Sequence, residues 1–417
     1  MTNIVKTLKN KCLSESQECN HVMSRVVRRK RIEQKRTLEE VSKGICSPSY
    51  LSKIENCLVE ADDVYYKALF EKLDLKYETV KSRRSENVIS QLLTYYLLNK
   101  KNLIEEKVNE IVNDKSYCEV ELELIVLFYS IISKTYDEAA HYLKSLESVR
   151  NSLDRKEIWF LTYCDALYHF FTCNYITSQE IADVLYETPD LEEEFKCVIL
   201  NLLLNLSFEL DRPEQFFRYY NILEKNDYAQ KIATLINHHD MQRLVFMSEN
   251  NYDAAIKNMK DYELIIDLDN PEINEEYHYF TSRILFNKGL YKETFEMADI
   301  PQPSIRLLMM MGACIIMIKD FELYMKFTGI LKNNNFKIST DARSRFVEYA
   351  KLKAGQYGYF DQYKYLKSIL IVSLLDAGLH YYCDLAVKEY LRIAVELGKY
   401  KESLGFIMRL QKVRFIN

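Results

Sequence analysis

Residues 37–56 read TLEEVSKGICSPSYLSKIEN, and the placing of small and polar residues there predicts two short helices around a tight turn. Thr37 stands at an N-cap position, and Glu40, three residues on, completes a capping box in which each residue satisfies the other's backbone N–H. Gly44 follows the first helix, where a left-handed residue closes the last turn and glycine adopts that conformation without a Cβ penalty. Ser47 caps the next helix, and Pro48 takes its first position, where a missing N–H is no loss. In that second helix Leu51 and Ile54 are expected inward, with Ser49, Tyr50, Ser52 and Lys53 outward.

Upstream, residues 23–35, MSRVVRRKRIEQK, continue the helical pattern with Arg25, Arg28, Arg29, Lys30 and Arg31, and with Val26 and Ile32 among the inward candidates. Downstream, a helix from about Asp62 to Leu73 turns Leu69 and Leu73 inward, and the polar run 76–88 reads as a join. Two helices around a glycine turn, the second opening on small polar side chains, form a helix-turn-helix. Such an element fits the major groove, and arginines on a neighbouring helix, here Arg28 and Arg29, suit phosphates. Charge agrees: residues 1–60 hold 12 Lys+Arg against 7 Asp+Glu, whereas residues 61–417 hold 44 against 54. A basic head on an acidic body directs a polyanion to the head.

The rest of the chain is set by what it lacks. It has 9 Gly and 6 Pro in 417 residues, where ordinary usage gives about 30 and 20. Sandwiches, barrels and doubly wound folds need more turn residues than that. No glycine lies between Gly44 and Gly289, which removes phosphate-cradling loops from that stretch. Helices remain, and they repeat. An aromatic or apolar residue opening a polar, helix-starting stretch recurs at Leu103, Tyr136, Tyr175, Pro213, Tyr252, Tyr291, Phe321, Phe360 and Tyr400, with separations of 33, 39, 38, 39, 39, 30, 39 and 40 residues. A period of this size made only of helical pattern predicts stacked helix hairpins. The expected fold is all-α: a helix-turn-helix bundle over residues 23–75, a linker at 76–88, and a TPR-like right-handed α-solenoid of eight or nine hairpins over 89–417. Residues 1–22 form an N-terminal extension.

The head resembles the Xre/Cro-type helix-turn-helix. More closely it is similar to the version that opens the peptide-responsive Gram-positive regulators of the Rap–Rgg–NprR–PlcR–PrgX group. The resemblance covers Met23 to Leu75 and is carried by TLEEVSKG and ICSPSYLSKIEN. It implies that Ser49, Tyr50 and Lys53 meet base edges and that Ser47 and Ser52 lie near phosphates; Thr37 completes the expected DNA-binding set with Arg28 and Arg29. It also implies a cytoplasmic, homodimeric transcription regulator whose partners are double-stranded DNA and a short signalling peptide. Two features depart from the group: Cys57 stands where a glycine usually follows the recognition helix, and the chain extends before Met23.

In the array, the first helix of each hairpin is expected to line the concave side. Asn201 and Asn205, four apart on one helix, share a face, and Asn237 holds the corresponding place in the next repeat. Asparagine amides both donate and accept, which suits the backbone of an extended peptide; the alternative is that they bridge neighbouring repeats. A rival reading keeps the helix-turn-helix and makes the array a dock that sequesters a protein partner. His238-His239-Asp240 lacks the spacing of a metal site, and Met309-Met310-Met311 reads as core. No catalytic arrangement, cofactor motif or metal-ligand pattern stands out, so no enzyme is expected. The ten cysteines include no CxxC pair, and Cys164 and Cys197 read as buried free thiols of a reducing compartment. The longest apolar run, 307–318, is 12 residues, short of a bilayer span, and no membrane partner is expected.

Overall fold

The capping residues of the head do what their positions require. The Thr37 hydroxyl accepts from the Glu40 N–H at 3.2 Å while the Glu40 carboxylate accepts from the Thr37 N–H at 2.7 Å. Ser47 accepts from the Tyr50 N–H at 3.1 Å, and Asp62 from the Val64 N–H at 3.0 Å. Gly44 takes a φ of +83°, the left-handed conformation that closes the turn. The computed structural model describes residues 21–56, 58–59, 61–75, 88–113, 119–150, 153, 155–334, 336 and 339–414. Residues 1–20 of the expected extension, Cys57 and nearly all of the join at 76–88 lie outside the described residues.

The head holds four described helices, α1 (His21–Glu33), α2 (Leu38–Ser42), α3 (Pro48–Glu55) and α4 (Asp63–Lys72). Met23, Val27, Val41, Leu51, Ile54, Tyr66, Leu69, Phe70 and Leu73 close into one buried core. One inward assignment is corrected: Ile32 is exposed, whereas Val26 packs half-buried against the core and Met23 and Val27, four apart, lie within it. The next place on that stripe belongs to Arg31, which donates Nε and Nη2 to Glu55, both at 2.7 Å. The Glu55 side chain is 2% exposed, and a carboxylate so buried requires a cation beside it, so a guanidinium takes a position that periodicity gives to an apolar neighbour.

The array runs through α5 (Val88–Leu97), α6 (Lys101–Asn113), α7 (Glu119–Ile132), α8 (Tyr136–Val149), α9 (Arg155–Phe171), α10 (Tyr175–Tyr186), α11 (Glu193–Glu209) and α12 (Pro213–Leu223). It continues as α13 (Ala233–Met247), α14 (Tyr252–Glu263), α15 (Pro271–Asn287), α16 (Tyr291–Ala298), α17 (Ile305–Met317), α18 (Phe321–Asn333) and α19 (Ala342–Ala354). α20 (Tyr359–Tyr365) passes through a π-turn into α21 (Ile371–Asp376), and α22 (His380–Glu396) and α23 (Tyr400–Arg414) follow. Helices joined by short turns make up the described residues, with no strand among them.

The repeat markers locate the helices closely. Tyr136, Tyr175, Pro213, Tyr252, Tyr291, Phe321 and Tyr400 are each the first residue of a second helix; Phe360 is one residue inside its helix and Leu103 two. The turns before them explain how so glycine-poor a chain reverses. Two residues ahead of a helix start, Asn99, Lys134, Cys173 and Asp211 hold φ of 54°, 65°, 63° and 55°, where Gly289 and Gly398 stand in later repeats. Each non-glycine residue there carries about 1 kcal/mol or more of strain, which the packed hairpin sustains.

The chain divides into two compact units. The first is residues 1–203 with 225–232, and the second is 204–224 with 233–417. In the first, α1 lies against α7 and α8, and Phe128, Phe160, Trp159 and Phe195 build an aromatic core. In the second, first helices of successive hairpins pack on one another, α13 on α15, α15 on α17, and α17 on α19. Phe208, Phe216, Phe246 and Phe280 interlock there with ring centroids 5.3–5.4 Å apart. Met309, Met310 and Met311 are buried core, and Cys164 and Cys197 are buried free thiols.

Candidate functional site

The outward face of α3 follows from its caps and its two core anchors. Leu51 and Ile54 are fully buried, which leaves Ser49 and Lys53 exposed one turn apart and Ser52 half-buried between them. Ser47 is exposed at the helix start and Thr37 at the start of α2. Tyr50 is half-buried, its ring edge-on to Tyr65 at 5.4 Å. Hydroxyls that donate and accept beside an ammonium match what base edges and phosphates offer.

Arg28 and Arg29 of α1, like Arg31, are engaged within the protein. Arg28 donates to the Asn56 amide oxygen. Arg29 donates to Ser145 Oγ at 2.7 Å and to the carboxylate of Glu123, on α8 and α7. Lys30 meets Glu33 at 3.0 Å on the surface. Burial pushes the Glu123 carboxyl above its ordinary range, against the opposing pull of Arg29 and Ser145. Glu55, Asn56 and Glu123 were not legible as partners: a basic run reads alike whether its counter-charge is a phosphate or a carboxylate 94 residues away.

In the second unit Asn205 joins a polar chain across three helices. Its Oδ1 accepts from Gln242 Nε2 at 2.9 Å and lies 3.0 Å from His238 Nε2, while His238 Nδ1 lies 2.8 Å from Glu276. Asn237, on the same helix as His238, stands half-buried outside that chain. Asn201, one helical turn before Asn205, is nearly buried in the first unit. His238, His239 and Asp240 each face different partners. His239 is buried, its Nδ1 lies 2.8 Å from Gln242 Oε1, and burial and His238 depress its basicity well below the ordinary range. Burial pushes the Asp240 carboxyl up, but Arg243, Tyr262 and Tyr220 outweigh it and hold it below its usual value.

A further cluster on the first helices had no signal in the sequence pattern. Glu209, the last residue of α11, meets Arg306 Nη2 at 2.6 Å and Arg343 Nη2 at 3.3 Å. Arg306 lies over the Tyr279 ring at 5.5 Å. Arg283, 4% exposed, lies 3.7 Å from the Tyr381 ring centroid and 5.3 Å from that of Phe208, and its Nε finds no acceptor among the described residues.

No family model matches the sequence, and no curated protein matches it. Among solved structures, the chain is similar to PlcR of Bacillus thuringiensis in complex with the peptide PapR7 and DNA. The two are 13% identical, over 88% of this chain and 99% of that one, with a TM-score of 0.17.

Proposed function

We propose that the chain is a DNA-binding transcription regulator whose helical array takes up a short signalling peptide. The observation that carries the reading is the outward face of α3. A head whose apolar side chains are packed into one core leaves Ser49, Ser52 and Lys53 together on a helix that follows a glycine turn. With Ser47, Tyr50 and Thr37 they make the DNA-contacting set. Arg28 and Arg29 join it when they exchange Asn56 and Glu123 for phosphate.

For the array, support comes from polar side chains set among apolar ones on the first helices. Asn237 is half-exposed there, and Asn205 can exchange its His238 contact for a peptide amide. Asn201 has little exposed surface and serves the peptide only if its helix shifts. A single helix-turn-helix reads a half-site, so the regulator acts as a homodimer. The last described helix supports this with Tyr400, Leu404 and Met408 outward at four-residue spacing, each more than half exposed, an apolar stripe suited to a second copy. Among the described residues no helix is long and apolar enough to cross a membrane, and the proposed site of action is the cytoplasm.

The test is sequence selection on random duplex DNA with the full chain, followed by binding to the selected site and to scrambled DNA. Ser49→Ala and Lys53→Ala should each reduce the difference between the two by about 1–3 kcal/mol, the worth of a well-placed bond to a base edge. Full retention of sequence preference in the double variant would overturn the placing of the recognition helix.

A further inference from the structure

We propose that Arg306 and Arg343 form a carboxylate receptor in the second unit, occupied in the free chain by Glu209 and claimed by a carboxylate of the bound peptide. The proposal rests on the peptide reading above and names the chemistry of one contact.

The geometry is that of one carboxylate divided between two arginines, its Oε1 paired with Arg306 as an ion pair and its Oε2 accepting from Arg343. Arg306 and Arg343 are each the second residue of their helices, α17 and α19, which are first helices of successive hairpins packed on each other. Both aim Nη2 at Glu209. Two guanidinium groups carry ten N–H donors between them, and one carboxylate cannot satisfy both in the bidentate manner that arginine favours. Arg283 places a third guanidinium over Phe208, next to Glu209 in the chain, with its Nε lacking an acceptor among the described residues. Asp211 and Glu249 act on this arginine only through space.

Accessibility is unequal. The Glu209 side chain is 6% exposed, whereas Arg306 is 25% and Arg343 14% exposed. The arginines can therefore be reached while their internal partner is the most enclosed of the three. A buried ion pair contributes little net energy once desolvation is counted, so replacing one carboxylate by another is near balance, and the peptide's remaining contacts decide it. Glu209 then acts as an internal stand-in that keeps the arginines compensated until a ligand arrives. Glu209 ends α11, so its release frees that helix end from α17 and α19.

The probe is a randomised heptapeptide mixture in three forms: free C-terminal acid, C-terminal amide, and amide made without Asp or Glu. The full chain is immobilised and retained peptides are identified by mass spectrometry. Retention of acid-bearing peptides over the acid-free form is expected. Dependence on the free terminus or on a fixed Asp or Glu position then tells the two carboxylate sources apart. Arg306→Gln and Arg343→Gln should lower that preference by about tenfold, the scale of one charge-assisted contact. Glu209→Gln, close in shape, should raise acid-bearing retention several-fold by removing the competitor. Where the loss of its charge beside two arginines unfolds the chain, Glu209→Asp, which keeps the charge but shortens its reach to Arg306 and Arg343, should raise it in the same direction. Retained peptides without acid preference, or a Glu209→Gln chain that retains fewer of them, would overturn the receptor while leaving the peptide reading intact. A wild-type chain that retains nothing overturns the peptide reading itself, and the receptor with it.

Discussion

Asn205 and Asn237 sit on helices of neighbouring repeats, and the structure gives them unequal work. Asn205 is the acceptor for Gln242, which is 2% exposed. Asn205→Ala therefore leaves a buried amide N–H unpaired and is expected to cost about 1–3 kcal/mol. Asn237→Ala, at a half-buried position, should stay within about 0.5 kcal/mol. Urea unfolding of the full chain measures both, and equal effects would mean that the Asn205 bonds are energetically neutral. Glu389 makes a stronger case. Its carboxylate accepts from Lys353 at 2.9 Å and from Arg392 at 2.7 and 2.9 Å. Burial pushes that carboxyl up, yet Arg392 and Lys353 outweigh it and leave it below its ordinary value. A depressed carboxyl contributes stability that is complete above the unfolded value of about 4.3 and is lost as pH falls through the folded one. Glu389→Gln should flatten that acid limb and, by leaving Lys353 buried beside no carboxylate, cost about 3–5 kcal/mol at neutral pH. Stability curves between pH 2 and pH 7 that coincide in shape for the two chains would refute it.

At the scale of the element, the hairpin turns invite a test of strain against entropy. Lys134 is exposed and held at φ 65°. A left-handed non-glycine residue costs roughly 1–2 kcal/mol, while glycine adds roughly 0.5–1 kcal/mol of unfolded-chain entropy. The first term wins, so Lys134→Gly should stabilise the chain by about 0.5–1 kcal/mol in urea unfolding, and a loss of stability would show the turn to be unstrained. These turns also explain what could be read from sequence. A polar reversal followed by an aromatic residue marks a helix start, and seven of nine markers fall on the first residue of a helix. Caps were equally legible at Thr37 and Ser47, because their bonds are local. Partnerships across the chain were not. Nothing near Ile32 says that Arg31 will displace it toward Glu55, and nothing near Glu209 announces Arg306 and Arg343.

For the molecule as a whole, the consequential contact is that of the head with the first hairpins, within the first unit. Arg29 reaches from α1 to Ser145 and Glu123, so a cation expected at phosphate is held by the array. Glu123→Gln removes the competing charge. We expect tighter DNA binding and a steeper dependence on salt, by about one unit of the logarithmic slope for each additional phosphate neutralised. Unchanged affinity and slope would assign Arg29 to holding the head in place.

The buried thiols give the array a built-in clock. Cys164, Cys197, Cys314 and Cys383 lie on four different first helices, α9, α11, α17 and α22, and all four are buried thiols outside any disulfide. Burial pushes the Cys197 thiol up to about 12, and Cys164 and Cys314 upward as well. Thiolate is the species that alkylating reagents attack, so at neutral pH these sites react only through transient opening of their own hairpins. The half-buried Cys46 and Cys173 should be modified before these four. Labelling rates resolved by peptide mass would then time the breathing of separate repeats in the unaltered chain, and a ligand that stiffens one stretch would slow its own cysteine and spare the others.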